Sequence, residues 1–462
     1  MPDLTESALA YARDQRQPFL DSLLDLVSIP SVSTLPEHEP DIRRAAGWLV
    51  DYMKGVGLEG VELLPTDGYP VVYGQWLNAG PDAPTVLAYG HYDVQPADPL
   101  DEWHSPPFAP QIRDENLFAR GASDDKGQLF AVLAAVQAYL ETQGTLPINF
   151  KVMLEGEEEV SSPNMPAFVA DRREMLAADV VLICDGGILG EDVPLVTYGV
   201  RGLAYMEVEI RGPATDLHSG TFGGAVDNPF NVLVRLLARL HDPETKRVAI
   251  PGFYDRVRPI DDDERALLAQ VPITDETVRQ LTGVSALAGE AGYTTLERLS
   301  LRPTLDIHGL PGGFVGHGKK TVIPARALAK VSMRLVPDQD PAEIARLFGD
   351  YLQAIAPPTV HLEVRTLGLA RPAYVDYRHP ALQAAARAYE AGFGATPVYM
   401  RGGGTLPIVT EFQDVLGAPV VLMGFGLPDD NAHAPNEKFH LPTFYRAVDT
   451  LIHYYAGLAA TG

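Results

Sequence analysis

Five short stretches of this chain concentrate the residue types that hold metal ions and move protons. They are Gly90-His91-Tyr92-Asp93, Gly121-Ala122-Ser123-Asp124-Asp125-Lys126-Gly127, Glu155-Gly156-Glu157-Glu158-Glu159, Cys184-Asp185-Gly186 and Asn431-Ala432-His433. Two imidazoles and three carboxylates from such a set make a hard nitrogen-and-oxygen ligand group, suited to zinc, manganese or cobalt. One further carboxylate beside them is what metal-assisted hydrolysis needs as a general base. Taken singly, each stretch has a plainer reading. His91 reads as a core histidine, Glu157–Glu159 as a solvated acidic run, and Asp124 or Asp125 as a helix N-cap favoured by the dipole. The cap explains one aspartate and requires neither Gly121 before it nor Lys126-Gly127 after it. Asp93, two residues past His91, offers a partner that would fix the imidazole tautomer. It is the five stretches together, in this order, that point to a metal site. His104, His308, His317 and His440 have no such company and stay outside it.

The elements around these residues explain how they would meet. Helical periodicity runs over residues 5–27, with a break or restart expected at Pro18, and over 41–55. Apolar strand candidates follow at 71–77, 84–90, 147–154 and 179–184, and a strong helix runs from Lys126 to about Leu140. Continuous apolar strands alternating with helices indicate a largely parallel sheet covered on both faces. Sites in such sheets form at the carboxyl ends of strands, and His91, Glu158 and Asp185 each lie just past an apolar run. From about residue 200 the pattern changes. Strand Leu203–Ile210 precedes helix Pro229–Leu240, and strand Ala327–Val336 precedes helix Pro341–Ile355 and a further strand at 359–366. Two strand–helix units suggest a small ferredoxin-like α+β layer. Between them lies an irregular insert, roughly 243–320, rich in Pro, Gly and Asp. Helix–strand alternation resumes from Pro380, and His433 follows the strand-like Val420–Met423.

The whole chain sets the bounds. At 462 residues two domains are expected, and 46% apolar with 21% charged residues describes a globular protein. The formal charge, 36 − 61 = −25, argues against nucleic acid and anionic membranes as partners. The one cysteine, Cys184, ends the run Val180-Val181-Leu182-Ile183 and reads as a buried strand residue. No run reaches the ~18 apolar residues of a membrane span, and no signal-peptide pattern opens the chain. A soluble, cytoplasmic enzyme is the expectation.

In chain order the five stretches resemble the zinc aminoacylase/carboxypeptidase family, which includes carnosine-type dipeptidases, acetylornithine deacetylase and succinyl-diaminopimelate desuccinylase. The likeness runs from Val27-Ser28-Ile29-Pro30-Ser31 to Asn436-Glu437-Lys438. It is strongest to the dipeptidase branch, through Trp103-His104-Ser105-Pro106-Pro107-Phe108, Asp216-Leu217-His218-Ser219-Gly220, Lys320-Thr321-Val322-Ile323-Pro324 and Met333-Arg334-Leu335-Val336-Pro337. The resemblance implies an α/β fold: a mainly parallel-sheet zinc-peptidase catalytic domain over 1–199 and 376–462. An α+β, ferredoxin-like lid and dimerisation domain would be inserted over 200–375. It implies two divalent metal ions per subunit, zinc first, with manganese or cobalt as alternatives. One would be held by His91, Asp124 and Asp185, the other by Glu159, His433 and the shared Asp124. Glu158 would be the general base for a metal-bridging hydroxide, with Asp93 behind His91. The family also has a cis peptide after the bridging aspartate.

Further residues follow from the same resemblance. His218 matches a histidine that reaches the neighbouring subunit's active site, where a tetrahedral oxyanion needs a donor besides the metal; the active form would then be a homodimer. Arg334 ends an apolar strand, where a guanidinium is costly unless it meets an anion. A substrate carboxylate or an intraprotein ion pair would satisfy it. Thr321, Gly404 and Thr405 resemble further substrate contacts. One loop departs from the pattern: many dipeptidases of this branch carry Arg-Glu-Gly-Gly-Ser where this chain has Arg401-Gly402-Gly403-Gly404-Thr405. The missing carboxylate removes a possible partner for a substrate ammonium. The expected activity is therefore cleavage of dipeptides or similar small peptides, with N-acyl-amino-acid deacylation (acetyl or succinyl) as the alternative. A catalytically silent metal-binding protein is a third reading, against which the complete ligand set and Glu158 both count.

Overall fold

The apolar runs that end at His91, Glu155 and Ile183 are neighbours in one sheet of the computed structural model, which describes residues 4–460. Thr85–His91 pairs in parallel with Asn149–Glu155 on one side and with Val180–Ile183 on the other. Val420–Met423 then pairs in parallel with Val180–Ile183. Nearly every residue of these four strands is buried, which is why they read as unbroken apolar runs and not as alternation. The flanks are antiparallel: Val71–Trp76 against Asn149–Glu155, Glu59–Leu64 outside it, and Leu195–Val200 against Val420–Met423. Hence the parallel character belongs to the centre of the sheet. Cys184 is buried just past its strand.

Helix Lys126–Gln143 is buried on almost all sides as far as Tyr139, packed by Leu4–Asp14, Arg16–Val27 and Leu441–Ala459. The first helical stretch breaks at Gln15, so that Pro18 falls in the first turn of Arg16–Val27. There its missing N–H is no loss, because the first-turn N–H groups have no intrahelical acceptor.

By contact the chain divides into two units. One comprises the chain up to Tyr198, Val375–Met400 and the chain from Ile408 onward; the other comprises Gly199–Tyr374 and Arg401–Pro407. The expected division placed all of 376–462 with the first unit, and its outermost residues, 1–3 and 461–462, lie outside the described ones. Residues 401–407 belong with the second unit for a physical reason. Arg401 forms a buried ion pair with Glu264, and Arg201 donates to the carbonyl of Gly403 at 2.8 Å.

The second unit is a four-stranded antiparallel sheet in the order Thr304–Gly309, Arg326–Leu335, Gly202–Arg211, His361–Ala370. With helices Pro229–Leu237 and Pro341–Ile355 the chain order is β-α-β-β-α-β, the ferredoxin-like pattern. One sheet face (Ala204, Met206, Val208, Val331, Met333) packs with Leu233, Leu236, Phe348 and Leu352 into a core. The segment 243–320 is largely irregular, as expected, but not throughout. It holds helices Asp262–Leu268, Asp275–Thr282 and Thr295–Ser300 and the edge strand Thr304–Gly309. Its helices are too short for a visible apolar period, but their caps are in the sequence: Asp261, and capping boxes opened by Thr274 and Thr294.

Phe348 is wholly buried in the second unit's core. Phe348→Ala should cost about 3–5 kcal/mol, read as a lower urea midpoint by circular dichroism. An unchanged midpoint would show that this helix does not seal the core.

Candidate metal centre

Parallel strands end on the same edge, and here four of them deliver one group of polar side chains to it. His91 closes its strand opposite Glu155, Glu158 and Glu159 open the short turn Glu158–Val160 that follows Glu155, and Asp185 lies two residues beyond Ile183. His433 arrives on the loop after Val420–Met423, in which Asn431, His433 and Asn436 all take positive φ.

Asp124 comes from the loop that precedes helix Lys126–Gln143. Gly121 takes φ +81°, and a Cβ on Gly127 would stand 2.0 Å from the Ala122 carbonyl oxygen, so both glycines are required by the turn. The loop is clamped by one buried carboxylate. Glu437 Oε1 accepts the backbone N–H groups of Ser123 (2.9 Å) and Asp124 (3.0 Å), and its Oε2 accepts Gly121 N–H (2.8 Å) and Arg120 Nη1 (2.7 Å). The Asp124–Asp125 peptide is cis. The two adjacent aspartates do different things: Asp124 presents its carboxylate to both imidazoles, whereas buried Asp125 accepts the His91 backbone N–H at 3.2 Å.

Two triads result, His91 with Asp124 and Asp185, and Asp124 with Glu159 and His433; within each, the candidate ligand atoms lie within 4.8 Å of one another. His91 Nε2 is 3.1 Å from Asp124 Oδ1 and 3.8 Å from Asp185 Oδ2. His433 Nε2 is 2.8 Å from Asp124 Oδ2 and 3.3 Å from Glu159 Oε2. On its other side His91 Nδ1 lies 3.1 Å from the Asp93 carbonyl oxygen and 3.4 Å from its carboxylate. That contact fixes the ring so that Nε2 faces the carboxylates. Asp93 also accepts the backbone N–H groups of Glu158 (3.2 Å) and Glu159 (3.1 Å), and Gln95 donates to Glu159 at 2.7 Å. Glu158 sits beside the triads and in neither.

The electrostatics show what the cluster needs. Burial, then the neighbouring Asp124, pushes Asp185 up to about 7. Burial also raises Glu158, reinforced by Glu159 and Asp124. The hydrogen bonds to Asp124 and Glu159 push His433 up to about 10. Burial works against the charged form of His91, yet Asp124 and Asp93 hold its pKa well above the ordinary value. The carboxylates thus favour positive charge at the imidazoles. Divalent cations bound through neutral imidazole nitrogens and these carboxylates would supply that charge, and the donor set fits such ions.

Of the expected residues, the first unit brings together His91, Asp93, Asp124, Glu158, Glu159, Asp185 and His433. In the second unit Arg334 Nη1 donates to Thr405 Oγ1 at 2.6 Å, beside Gly404, whose carbonyl accepts Arg201 N–H at 2.9 Å. Among the described residues no carboxylate pairs with Arg334, so the intraprotein ion pair is not formed. Exposed His218 lies on a two-residue ladder with Val322, next to Thr321, and its Nδ1 accepts Gly220 N–H at 3.0 Å. Three supporting residues escaped sequence reasoning. Glu437 and Gln95 are single polar residues with no periodic pattern. Glu155 was given no role beyond opening its stretch, although it takes hydrogen bonds from Tyr89 and Ser162 and burial pushes it up to about 8.

The model of peptidase family M20/M25/M40 matches residues 87–457. The chain is 33% identical to the Cys-Gly metallodipeptidase DUG1 of Candida albicans, over 95% of this chain and 94% of that protein. It is 32% identical to the Beta-Ala-His dipeptidase of Mus musculus, over 95% and 92% respectively. Among solved structures, the M20 family metallo-carboxypeptidase Sso-CP2 from Sulfolobus solfataricus superposes with a TM-score of 0.84 at 32% identity, covering 96% of this chain and 99% of that one.

Two outcomes test the geometry of this centre. His433 carries a raised pKa of about 10, so at neutral pH an entering cation must displace its proton. Zinc uptake by chelator-stripped protein should release roughly one proton or more, and apparent affinity should rise with pH. Calorimetry in buffers of different ionisation enthalpy measures this, and uptake without proton release would sink it. Glu437→Gln replaces one acceptor oxygen by a donor facing N–H groups. It should weaken metal retention about tenfold or more while circular dichroism stays unchanged; unaltered retention would show that the clamp does not set Asp124.

Proposed function

We propose a function that starts from family: this chain belongs to peptidase family M20/M25/M40, and within it acts as a two-metal dipeptidase. One observation carries the reading. Two ligand triads share Asp124, and a half-buried glutamate, Glu158, stands beside them without belonging to either. His91, Asp124 and Asp185 would hold one ion and Asp124, Glu159 and His433 the other, with zinc as the first choice and manganese or cobalt as alternatives. Such ions supply Lewis-acid polarisation of the amide carbonyl and activation of water.

The chain's own groups do the rest. Glu158 accepts the proton of the attacking water at its carboxylate and returns it to the departing amine nitrogen. Burial beside Glu159 and Asp124 raises its pKa, the direction that favours taking up the proton. Asp93 holds the His91 ring and the Glu158–Glu159 backbone in register. Arg334, with Thr405 and Gly404, takes the substrate carboxylate, and Thr321 joins that binding surface. The second unit serves as lid and dimerisation domain, and His218 supplies an oxyanion donor to the partner subunit's site. The names of the relatives favour dipeptides over N-acyl amino acids, and Gly402 marks where the two substrate classes would be told apart.

Glu158→Gln should keep both metals, counted by elemental analysis, and lose ~10²–10⁴-fold in turnover of Ala-Ala-type dipeptides. Near-normal activity of a fully metallated variant would refute its role. A panel adding N-acetyl and N-succinyl amino acids decides between the two amide classes. For the shared site, His218→Ala and Glu158→Gln should each be inactive alone and regain activity on subunit exchange, approaching half of the normal value per mixed dimer. Each mixed dimer has one site with both groups intact. Exchange without recovery would leave His218 a local residue.

A further inference from the structure

A second chemical feature lies wholly within the second unit. A cavity of about 760 Å³ is lined by five cationic side chains, Arg201, Lys246, Arg298, Arg302 and Arg334, against two carboxylates, Glu290 and Asp306. In a chain of net charge −25 this local excess runs against the composition. The carboxylates offset it only in part. Glu290 is taken up by Arg302, which donates to both its oxygens at 2.7 Å, and by Arg247 at 3.1 Å. Asp306, which accepts the Thr304 hydroxyl at 3.2 Å, forms no ion pair with the five cations and offsets Arg201 only at longer range.

Of the others, Arg298 is held by the Glu290 backbone carbonyl at 2.9 Å and Lys246 is exposed, while Arg201 and Arg334 stand together. Each is anchored through a neutral oxygen of one short loop: Arg201 Nε to the Gly403 carbonyl at 2.8 Å, and Arg334 Nη1 to the Thr405 hydroxyl at 2.6 Å. Among the described residues neither has a carboxylate partner within ion-pair distance, and most of their N–H donors are unused. A Cβ at Gly403 would stand 3.1 Å from Arg201 Nη2, so the glycine leaves the guanidinium its room. Burial, and then the like charge of Arg334, push Arg201 down to about 10. Two half-buried guanidiniums held side by side by neutral anchors are costly without an anion, and a guanidinium fork is shaped for a carboxylate. The cavity is much larger than one carboxylate and falls in the range that takes small organic ligands.

We infer that Arg201 and Arg334 together read two carboxylates of one substrate, the C-terminal carboxylate and the acidic side chain of a peptide ending in Asp or Glu. The inference rests on the proposed dipeptidase reading, in which Arg334 takes the C-terminal carboxylate. Arg201 is then the specificity-determining residue, with Lys246 adding field at the mouth.

The test compares kcat/KM of the metal-loaded enzyme for Ala-Glu, Ala-Gln and Ala-Ala. Ala-Glu should exceed its neutral isostere Ala-Gln by about tenfold or more, the size of one charge-assisted hydrogen-bonded contact, expressed mainly in KM. Arg201→Met should bring the Glu/Gln ratio close to one, and Arg201→Lys should restore part of it. General damage lowers all three substrates together and leaves the ratio alone, so an unchanged ratio in Arg201→Met overturns the assignment. Should that variant not fold, Lys246→Ala, at an exposed position, serves in its place and should lower the ratio by a smaller factor; no change there overturns the assignment equally. Turnover of all three with Ala-Glu no better than Ala-Gln overturns this inference and leaves the dipeptidase reading standing. Turnover of none overturns both.

Discussion

Mutual repulsion among Asp124, Asp185, Glu158 and Glu159 is the constraint around which the first unit is organised. Four carboxylates at the rim of a buried sheet cannot all stay charged without compensating positive charge. The lifted pKa values of Asp185 and of both imidazoles are the response of the protein's own groups. A geometry that concentrates like charge is stable only if the backbone beneath it has no freedom to splay. The parallel strands provide that rigidity: every residue of Thr85–His91 from Val86 on, and all of Asn149–Glu155, is buried, and ladders on both sides fix their register.

Rigid strands fix only the residues that end them, and Asp124 and His433 come from loops. Two further carboxylates order the segments that leave the strands while staying out of the ligand set. Glu437 gathers three backbone N–H groups and the Arg120 guanidinium around Asp124. Asp93 does the same for the Glu158–Glu159 turn, and touches the His91 ring as well. Both work by the same physics: a buried carboxylate requires several donors, and loop N–H groups without a ladder require an acceptor. Because Glu437 follows His433 by only four residues, one loop delivers a ligand and clamps the segment that carries another.

The sequence made the ligand-bearing stretches legible because each sits where a strong pattern stops. An apolar run ends and a histidine or acid follows, as at His91 and Asp185. The ferredoxin-like unit was legible from its two long strands and two amphipathic helices. Its edge strand, Thr304–Gly309, was not, since only Leu305 is buried along it and an exposed edge shows no alternation. The short helices of 243–320 were hidden by length, with seven, eight and six residues, too few to display a 3.6-residue period. Glu437 was hidden for another reason. Its partners are backbone N–H groups about 315 positions away, and backbone donors leave no mark on residue type.

The short loop 401–407 joins these lines. Its sequence has Gly402 where the resemblance to the dipeptidase branch implies an acid. Its structure shows what the glycines make room for. Gly403 offers its carbonyl to Arg201 and no side chain against it, Thr405 orients Arg334, and Arg401 is fixed below by Glu264 from the short-helix segment. Removing a carboxylate from such a loop would withdraw a possible partner for a substrate ammonium, and the loop anchors the two neighbouring guanidiniums through neutral oxygens alone. On the proposed dipeptidase reading, both would move recognition from the amino end of the substrate toward its acidic end. The departure from the family pattern and the cationic cavity would then be two expressions of one shift in charge.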